Sequence, residues 1–286
     1  MEPLTNPSVI RGVMERHGVS FSKALGQNFL INPSVCPKMA RLGGAAPGVG
    51  VLEIGPGAGV LTAELAREAE KVVAVELDER LLPVLAETLA EFQNVEILQG
   101  DALKLDLKTL LAQEFPGMPV VVCANLPYYI TSPLLMALRE QRLPGESVTV
   151  MVQKEAAQRI CAGPGTRQAG PITVAVAYYS EPEFLFPVSR GSFLPAPEVD
   201  SAVIRLRVRK TPPVAVADEE FFFQVVRGSF GQRRKTVLNS LSAALGLPKD
   251  RVRAGLQAAG IPENARAETL SLEDFAAVAN ALAGAG

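Results

Sequence analysis

The sequence holds a single histidine, His17, among 286 residues. Ser-His-Asp and Cys-His nucleophilic catalysis both need a positioned histidine, and so does HExxH zinc chemistry. A lone histidine on an N-terminal amphipathic stretch is expected to be structural. There are three cysteines, Cys36, Cys123 and Cys161, far apart and with no CxxC pair. That excludes a disulfide framework and a cysteine zinc site, and each thiol is expected to behave as a small buried hydrophobe. No metal is expected. Long apolar runs are missing too. Val120–Ala124 and Ile172–Tyr179 are far too short to span a bilayer. The N-terminal MEPLTNPSVIRGVMERHG has no basic segment leading into an apolar one, so a cytoplasmic protein without a membrane partner is expected. The net charge of −2 gives no bulk support for nucleic-acid binding, so any basic surface must be local. Chemistry here must rest on a reactive cofactor, on carboxylates or on positioning.

Hydrophobic residues make up 48% of the chain, enough to bury a sizeable core. From Val51 short β-rich runs alternate with helical patterns. The strands are predicted as VLEI, VVAVEL, VEILQ, VVVCAN, SVTVMVQ, ITVAVAYY and SAVIRLRV, with helices such as LTAELARE and SPLLMALRE among the first five. Such alternation predicts an α/β fold with a mostly parallel sheet, and the last two strands are predicted as an antiparallel edge pair. Lys210–Glu220 reads as a linker. Beyond it FFFQVVRGSF, RKTVLNSLSAAL, KDRVRAGLQAAG and SLEDFAAVANAL all read as helices, with Asp218 and Ser271 as caps for the first and last. Two domains are expected, residues 1–212 and a small all-helical domain over 213–286.

The strand VLEI runs into Gly55-Pro56-Gly57-Ala58-Gly59, at the sheet edge where doubly wound folds bind cofactors. The dinucleotide fingerprint GxGxxG would place a small residue where this chain has Val60. The observed GxGxG is preceded by acidic Glu53. S-adenosylmethionine, with a cationic sulfonium and no pyrophosphate, fits that surrounding better than a dinucleotide. Glu76 ends the next strand and suits the ribose hydroxyls. Asp101, in LQGDA after the third strand, suits the adenine amino group. Either carboxylate alone reads as a solvated strand end or a helix cap. NAD binding shares Glu76 but leaves Asp101 unexplained.

The fourth strand ends in Asn125-Leu126-Pro127-Tyr128, pointing at the same edge. The exocyclic amine of adenine is a poor nucleophile because its lone pair is delocalised into the ring. It needs acceptors that hold it, which the Asn125 side-chain oxygen and the Leu126 carbonyl can supply. Pro127 fixes the turn and Tyr128 offers a face for stacking an unstacked base. The plain alternative is a proline turn with a locally packed tyrosine.

These segments resemble the ribosomal RNA adenine dimethylases over nearly the whole chain. The resemblance is carried by KALGQNFL at Lys23, LEIGPGAGVLT at Leu52, AVELD at Ala74, GDAL at Gly100 and NLPYYITSP at Asn125. Further matches are MVQKEAAQRI at Met151, FLPAPEVDSAVIRL at Phe193 and GQRRKTVLNSL at Gly231. The resemblance implies a Rossmann-like class I methyltransferase domain with a small C-terminal helical domain. It implies S-adenosylmethionine as cofactor and 16S ribosomal RNA, within the small subunit or its precursor, as partner. Two methyl groups would pass to each of two adjacent adenosines near the 3′ end. By motif, Asn28 and Leu30 close over the cofactor together with Gly55, Glu76, Asp101 and Asn125. Phe193 is implied to stack on the target adenine opposite Tyr128, although a buried phenylalanine is also ordinary core. Family members often carry Asn in place of Tyr129 and an aromatic in place of Ala169.

The densest basic cluster is Arg227, Arg233, Arg234 and Lys235, expected to meet RNA phosphates. Arg205, Arg207 and Arg209 alternate along a strand and read as a solvated face. The alternatives to a small-subunit enzyme are a large-subunit adenine methyltransferase of the antibiotic-resistance type, or an assembly factor with secondary catalysis. The GQNFL spelling and the helical domain favour the small-subunit enzyme. A monomer is expected.

Overall fold

The computed structural model describes residues 3–20, 28–125, 145–232 and 234–284. Leu126, Pro127, Tyr128 and Arg233 lie outside the described residues, as do Lys23–Gln27 and Tyr129. The chain divides into two compact units. One comprises Met1–Ala157 with Glu183–Val208, the other Gln158–Pro182 with Arg209–Gly286.

The first unit is built on a seven-stranded sheet. Its strands are β2 (Gly50–Ile54), β3 (Lys71–Glu76), β4 (Val95–Gln99), β5 (Val120–Asn125), β6 (Ser147–Gln153), β7 (Ser180–Val188, in this unit from Glu183) and β9 (Ser201–Val208). The spatial order is β4-β3-β2-β5-β6-β9-β7. β4 to β6 run parallel and β9 runs antiparallel to β6. The expected α/β class with a mostly parallel sheet is thus what the chain forms. β2 is buried along its whole length and β5 at every residue but Asn125, as strands covered on both faces must be. From β2 the chain winds outward through β3 and β4, then returns to add β5 on the other side. The strand order therefore reverses between β2 and β5, and their carboxyl ends form the crevice where such sheets bind ligands.

Helices α1 (Pro7–Arg16), α2 (Val35–Gly43), α3 (Val60–Glu68), α4 (Leu82–Thr88) and α5 (Leu107–Glu114) belong to this unit. On α1, Ile10, Val13 and Met14 are buried at helical spacing, and Asn6 caps the helix by accepting from the Ser8 N–H. His17 follows it and its Nε2 lies 2.7 Å from Glu87 Oε2 on α4, while Arg16 pairs with the same carboxylate. The single histidine thus fastens one helix to another. A two-stranded sheet of β1 (Phe29–Leu30) and β8 (Phe193–Leu194) completes the unit, with Phe29 opposite Leu194 and Leu30 opposite Phe193.

The second unit contains the end of α6 (Lys154–Cys161), then α7 (Pro171–Tyr179), α8 (Glu219–Phe230), α9 (Val237–Leu245), α10 (Lys249–Ala258) and α11 (Leu272–Ala283). The caps expected at Asp218 and Ser271 are present. Asp218 accepts from the Phe221 N–H, and Ser271 forms a reciprocal capping box with Asp274. Phe222 and Phe275 are fully buried. Tyr178, Tyr179, Phe222 and Phe223 form an aromatic cluster with ring centroids 4.8–5.6 Å apart, and both tyrosine hydroxyls donate to Glu219.

Two elements differ from expectation. ITVAVAYY is a helix, not a strand. Gly170 precedes it as the cap residue, Pro171 occupies its first turn, and Thr173 Oγ1 accepts from the Gly170 N–H. Its β-branched residues fill a helix buried on most sides, so tertiary packing overrides propensity. The antiparallel partner of β6 is β9, and the strand beside β9 is SEPEFLFPV, which carries two prolines and was not predicted. Proline is tolerated on such an outermost strand, which has a neighbour on one side only.

Candidate active site

The glycine loop is shaped by three left-handed residues, Gly55 at φ 71°, Gly57 at 62° and Gly59 at 86°. A side chain at any of them would be strained. Their surroundings differ. A Cβ on Gly57 would lie 3.1 Å from the Phe29 ring, and one on Gly59 3.1–3.2 Å from Thr88 and Leu89. Among the described residues nothing lies within 4 Å of a Cβ placed on Gly55. Two glycines thus serve close packing, and the third meets no described neighbour.

Glu76, at the end of β3, is almost fully buried and reaches back to the loop. Its Oε2 accepts from the Gly57 N–H at 3.1 Å and its Oε1 from the Asp78 N–H at 2.8 Å. Burial raises its pKa, and these backbone donors draw it back down. Each carboxylate oxygen has acceptor capacity for a second donor, so the group can hold the loop and two hydroxyls together. Leu77, directly after it, is 50% exposed although Glu76 and Asp78 on either side are buried. An exposed leucine between buried carboxylates offers a flat aromatic ligand an apolar surface. Sequence pattern alone did not single it out.

Asp101 is half-buried after β4. Its Oδ1 accepts from the Leu103 N–H at 3.0 Å, so it caps a turn, and Lys104 Nζ lies 3.6 Å from Oδ2. The Gly100 N–H donates to the Glu76 carbonyl at 2.8 Å, which ties the ends of β3 and β4 together.

Asn125 ends β5. Its Nδ2 donates to the Asn28 carbonyl at 3.4 Å. Among the described residues no donor engages its Oδ1, which leaves that oxygen available as an acceptor. Asn28 leads directly into β1, where Leu30 is buried opposite Phe193. Phe193 is only 4% exposed and packs in one cluster with Phe29 and Leu30. The structure therefore brings Asn28, Leu30, Gly55, Glu76, Asp101, Asn125 and Phe193 into one unit around the ends of β2 to β5.

Glu53, beside the loop, is 1% exposed, and its Oε2 has no hydrogen-bond partner among the described residues. Burial pushes its pKa up to about 8. The Thr62 hydroxyl draws it down without a fully formed hydrogen bond, and Glu76 raises it again. At neutral pH it mostly keeps its proton, so it is a buried acid rather than the charged carboxylate expected from sequence. Register places Glu53 on β2 beside Cys123 on β5, then Thr149 on β6 and Arg205 on β9. Cys36 and Cys123 are buried, and burial raises both thiol pKa values. They are inert core, as expected.

The strand arginines are paired with glutamates of the neighbouring strand. Arg205 and Arg207 both pair with Glu183, and Arg209 pairs with Glu181. In the second unit Arg227, Arg234 and Lys235 are exposed and make no ion pair among the described residues. No described helix is long and apolar enough to cross a membrane.

A cofactor crevice that has a carboxylate after each of two successive strands and an asparagine after the next inner one belongs to a Rossmann-like methyltransferase. Comparison with known proteins narrows this further. The profile of the ribosomal RNA adenine dimethylases matches residues 18–284. The chain is 49% identical over 285 residues to the ribosomal RNA small subunit methyltransferase A of Geobacillus thermodenitrificans, covering 98% of this chain and 97% of that one. Among solved structures it is similar to the 23S rRNA methyltransferase ErmE, with TM-score 0.68 and 31% identity over 90% of this chain and 100% of that one. It is also similar to a dimethyladenosine transferase from Plasmodium falciparum, with TM-score 0.70 and 25% identity over 87% and 95% of the two chains. The chain belongs to the ribosomal RNA adenine dimethylase family, and is an enzyme that methylates adenine in ribosomal RNA.

Proposed function

We propose that this enzyme dimethylates the exocyclic amines of two adjacent adenosines near the 3′ end of 16S rRNA, using S-adenosylmethionine, as a cytoplasmic step of small-subunit assembly. The observation that carries the reading is Asn125 at the end of β5, its Oδ1 engaged by no donor among the described residues, beside the crevice formed by Gly55, Glu76 and Asp101. The greater identity to a small-subunit enzyme, 49% against 31% for the 23S rRNA enzyme, favours the small-subunit substrate.

The residues present fit the cofactor. Gly55, with no described residue within 4 Å of its Cβ position, admits the amino-acid portion, Glu76 has acceptor capacity for the ribose hydroxyls, and Asp101 for the adenine amine. Leu77 covers one face of the adenine. Asn28 and Leu30 close over it, held by the bond from Asn125 and by pairing with Phe193. When bound, the cofactor supplies an electrophilic methyl group. Asn125 Oδ1 and the Leu126 carbonyl accept from the target amine, favouring a tetrahedral nitrogen aimed at that methyl. No general base is required, because the methylated cation is strongly acidic. Tyr128 and Phe193 supply the walls that hold the extruded base.

Two outcomes follow. Glu76→Ala removes the acceptor and leaves the Gly57 and Asp78 N–H groups without it. Calorimetric titration with S-adenosylhomocysteine is expected to show affinity weakened about 10- to 100-fold, as for loss of charge-assisted hydrogen bonds. Arg227, Arg233, Arg234 and Lys235 serve as phosphate contacts. Charge reversal at Arg227 and Arg234 is expected to weaken binding to small-subunit RNA and lower the log-log salt slope by about 0.7–0.9 per contact. An unchanged slope would remove these residues from the RNA interface.

The reading itself is tested by offering labelled S-adenosylmethionine with unmethylated small subunits, and separately with large-subunit RNA. Label is expected in the small subunit only. Preferential labelling of large-subunit RNA would transfer the enzyme to the resistance-type class.

A further inference from the structure

The β1–β8 pair joins the two halves of the proposed site. Leu30 belongs to the segment that closes over the cofactor, and Phe193 to the wall for the target base. Phe29, Leu30 and Phe193 are all buried, so a slip of one residue in this pair would turn every side chain to the opposite face. Phe193 would then leave the site entirely.

The structure holds a peg just beyond the pair. The Ile31 N–H donates to the Ser192 carbonyl at 2.8 Å, and Asn32 Nδ2 donates to Ser192 Oγ at 3.1 Å. The other end of the Asn32 amide is also engaged, since its Oδ1 accepts from the Ser34 N–H at 3.0 Å and the Ser34 hydroxyl at 2.8 Å. Ser34 is the residue before α2, whose last residue, Gly43, packs against Cys123 and Thr149 of the sheet. Ser192 is buried and ends a turn in which the Arg190 N–H donates to Asp200 Oδ1 at 2.9 Å, while the Asp200 carbonyl accepts from the Lys154 N–H at 3.0 Å. Both halves of the peg are thus anchored to the main sheet.

We propose that Asn32 and Ser192 are positioning residues for methyl transfer, their hydrogen bond fixing the register in which Phe193 stands against the cofactor-side segment. The inference rests on the roles given to Leu30 and Phe193 above. Small displacements of a reacting group cost large factors in rate, so loosening the pair acts mainly on the chemical step through Phe193 and only slightly on cofactor binding through Leu30, whose segment Asn125 also holds.

The test is a double-mutant cycle on the full chain, with Asn32→Ala, Ser192→Ala and the pair. Single-turnover transfer to small subunits, affinity for S-adenosylhomocysteine and melting temperature are measured for each. Each single variant is expected to slow transfer about tenfold, and the double variant to be no slower, since the two residues act through one bond. Affinity for S-adenosylhomocysteine is expected to stay within about twofold. Asn32→Asp, which keeps the Ser34 contacts and can accept from the Ser192 hydroxyl, is expected to transfer faster than Asn32→Ala. Unchanged rates, losses that multiply, or affinity falling in step with rate would each overturn the proposal. Asn125→Ala measured alongside separates the two levels. If it is inactive while the peg variants are normal, only the peg fails. If it is fully active, the reading of the site fails.

Discussion

Asn125→Ala is expected to lose activity by about a hundredfold to a thousandfold in kcat, the magnitude seen when a preorganised polar group is removed from a reacting centre. The substitution deletes the oxygen that holds the target amine and the Nδ2 that donates to the Asn28 carbonyl. That second bond is long, at 3.4 Å, so its contribution to stability is no more than about 1 kcal/mol. Melting temperature is therefore expected to change little, and affinity for S-adenosylhomocysteine by only a few-fold. The pattern to look for is a loss in kcat out of proportion to the loss in cofactor binding. An alanine variant with wild-type kcat would mean that the acceptor amine is held elsewhere.

The second large effect lies in stability and comes from Glu53. Its ordinary value of 4.5 rises to about 8 in the fold because burial disfavours the charged form. The unfolded chain loses the proton near 4.5 and the folded chain keeps it to about 8. The stabilising contribution is fully present below 4.5, declines as pH rises through this window, and is lost above about 8. At about 1.4 kcal/mol per pH unit the whole window amounts to about 5 kcal/mol. Glu53→Gln, which does not titrate, is expected to flatten that slope. Urea unfolding of both proteins at pH 5 and pH 8 checks it, because the difference between them cancels the other carboxylates. Glu87 and Glu183, whose pKa values are lowered by their arginine partners, act in the opposite sense and at lower pH. Parallel stability curves for the two proteins would show that Glu53 is charged in the folded state.

Much of the site was legible because it sits where strands end. VLEI, VVAVE and VEILQ each stop at a glycine or an acidic residue, and a parallel sheet carries all those ends to one edge. The GxGxG loop was legible for the same reason that it folds, since three of its residues need positive φ. Other features depend on contacts distant in sequence. Phe29 lies over Gly57, and Leu30 pairs with Phe193, through strands of two residues that no periodicity can reveal. Glu53 read as a charged neighbour of the cofactor, because sequence does not show that α2 and α3 seal it from water. ITVAVAYY read as a strand because valine and isoleucine favour sheets, while the cap at Gly170 and Pro171 settles it as a helix. Edge strand β7 was hidden by its own prolines. The alternating arginines read as a solvated face; their pairing with Glu181 and Glu183 on β7 depends on a strand that the sequence did not reveal.

The most direct test of adenine dimethylation at this crevice is to identify the product. Unmethylated small subunits are incubated with S-adenosylmethionine bearing a deuterated methyl group, and the RNA is digested and read by mass spectrometry. The account requires N6,N6-dimethyladenosine with two deuterated methyl groups at each of two adjacent positions near the 3′ end, and its disappearance with Asn125→Ala. Label on cytidine or on ribose, or dimethyladenosine that persists in the Asn125 variant, would contradict it.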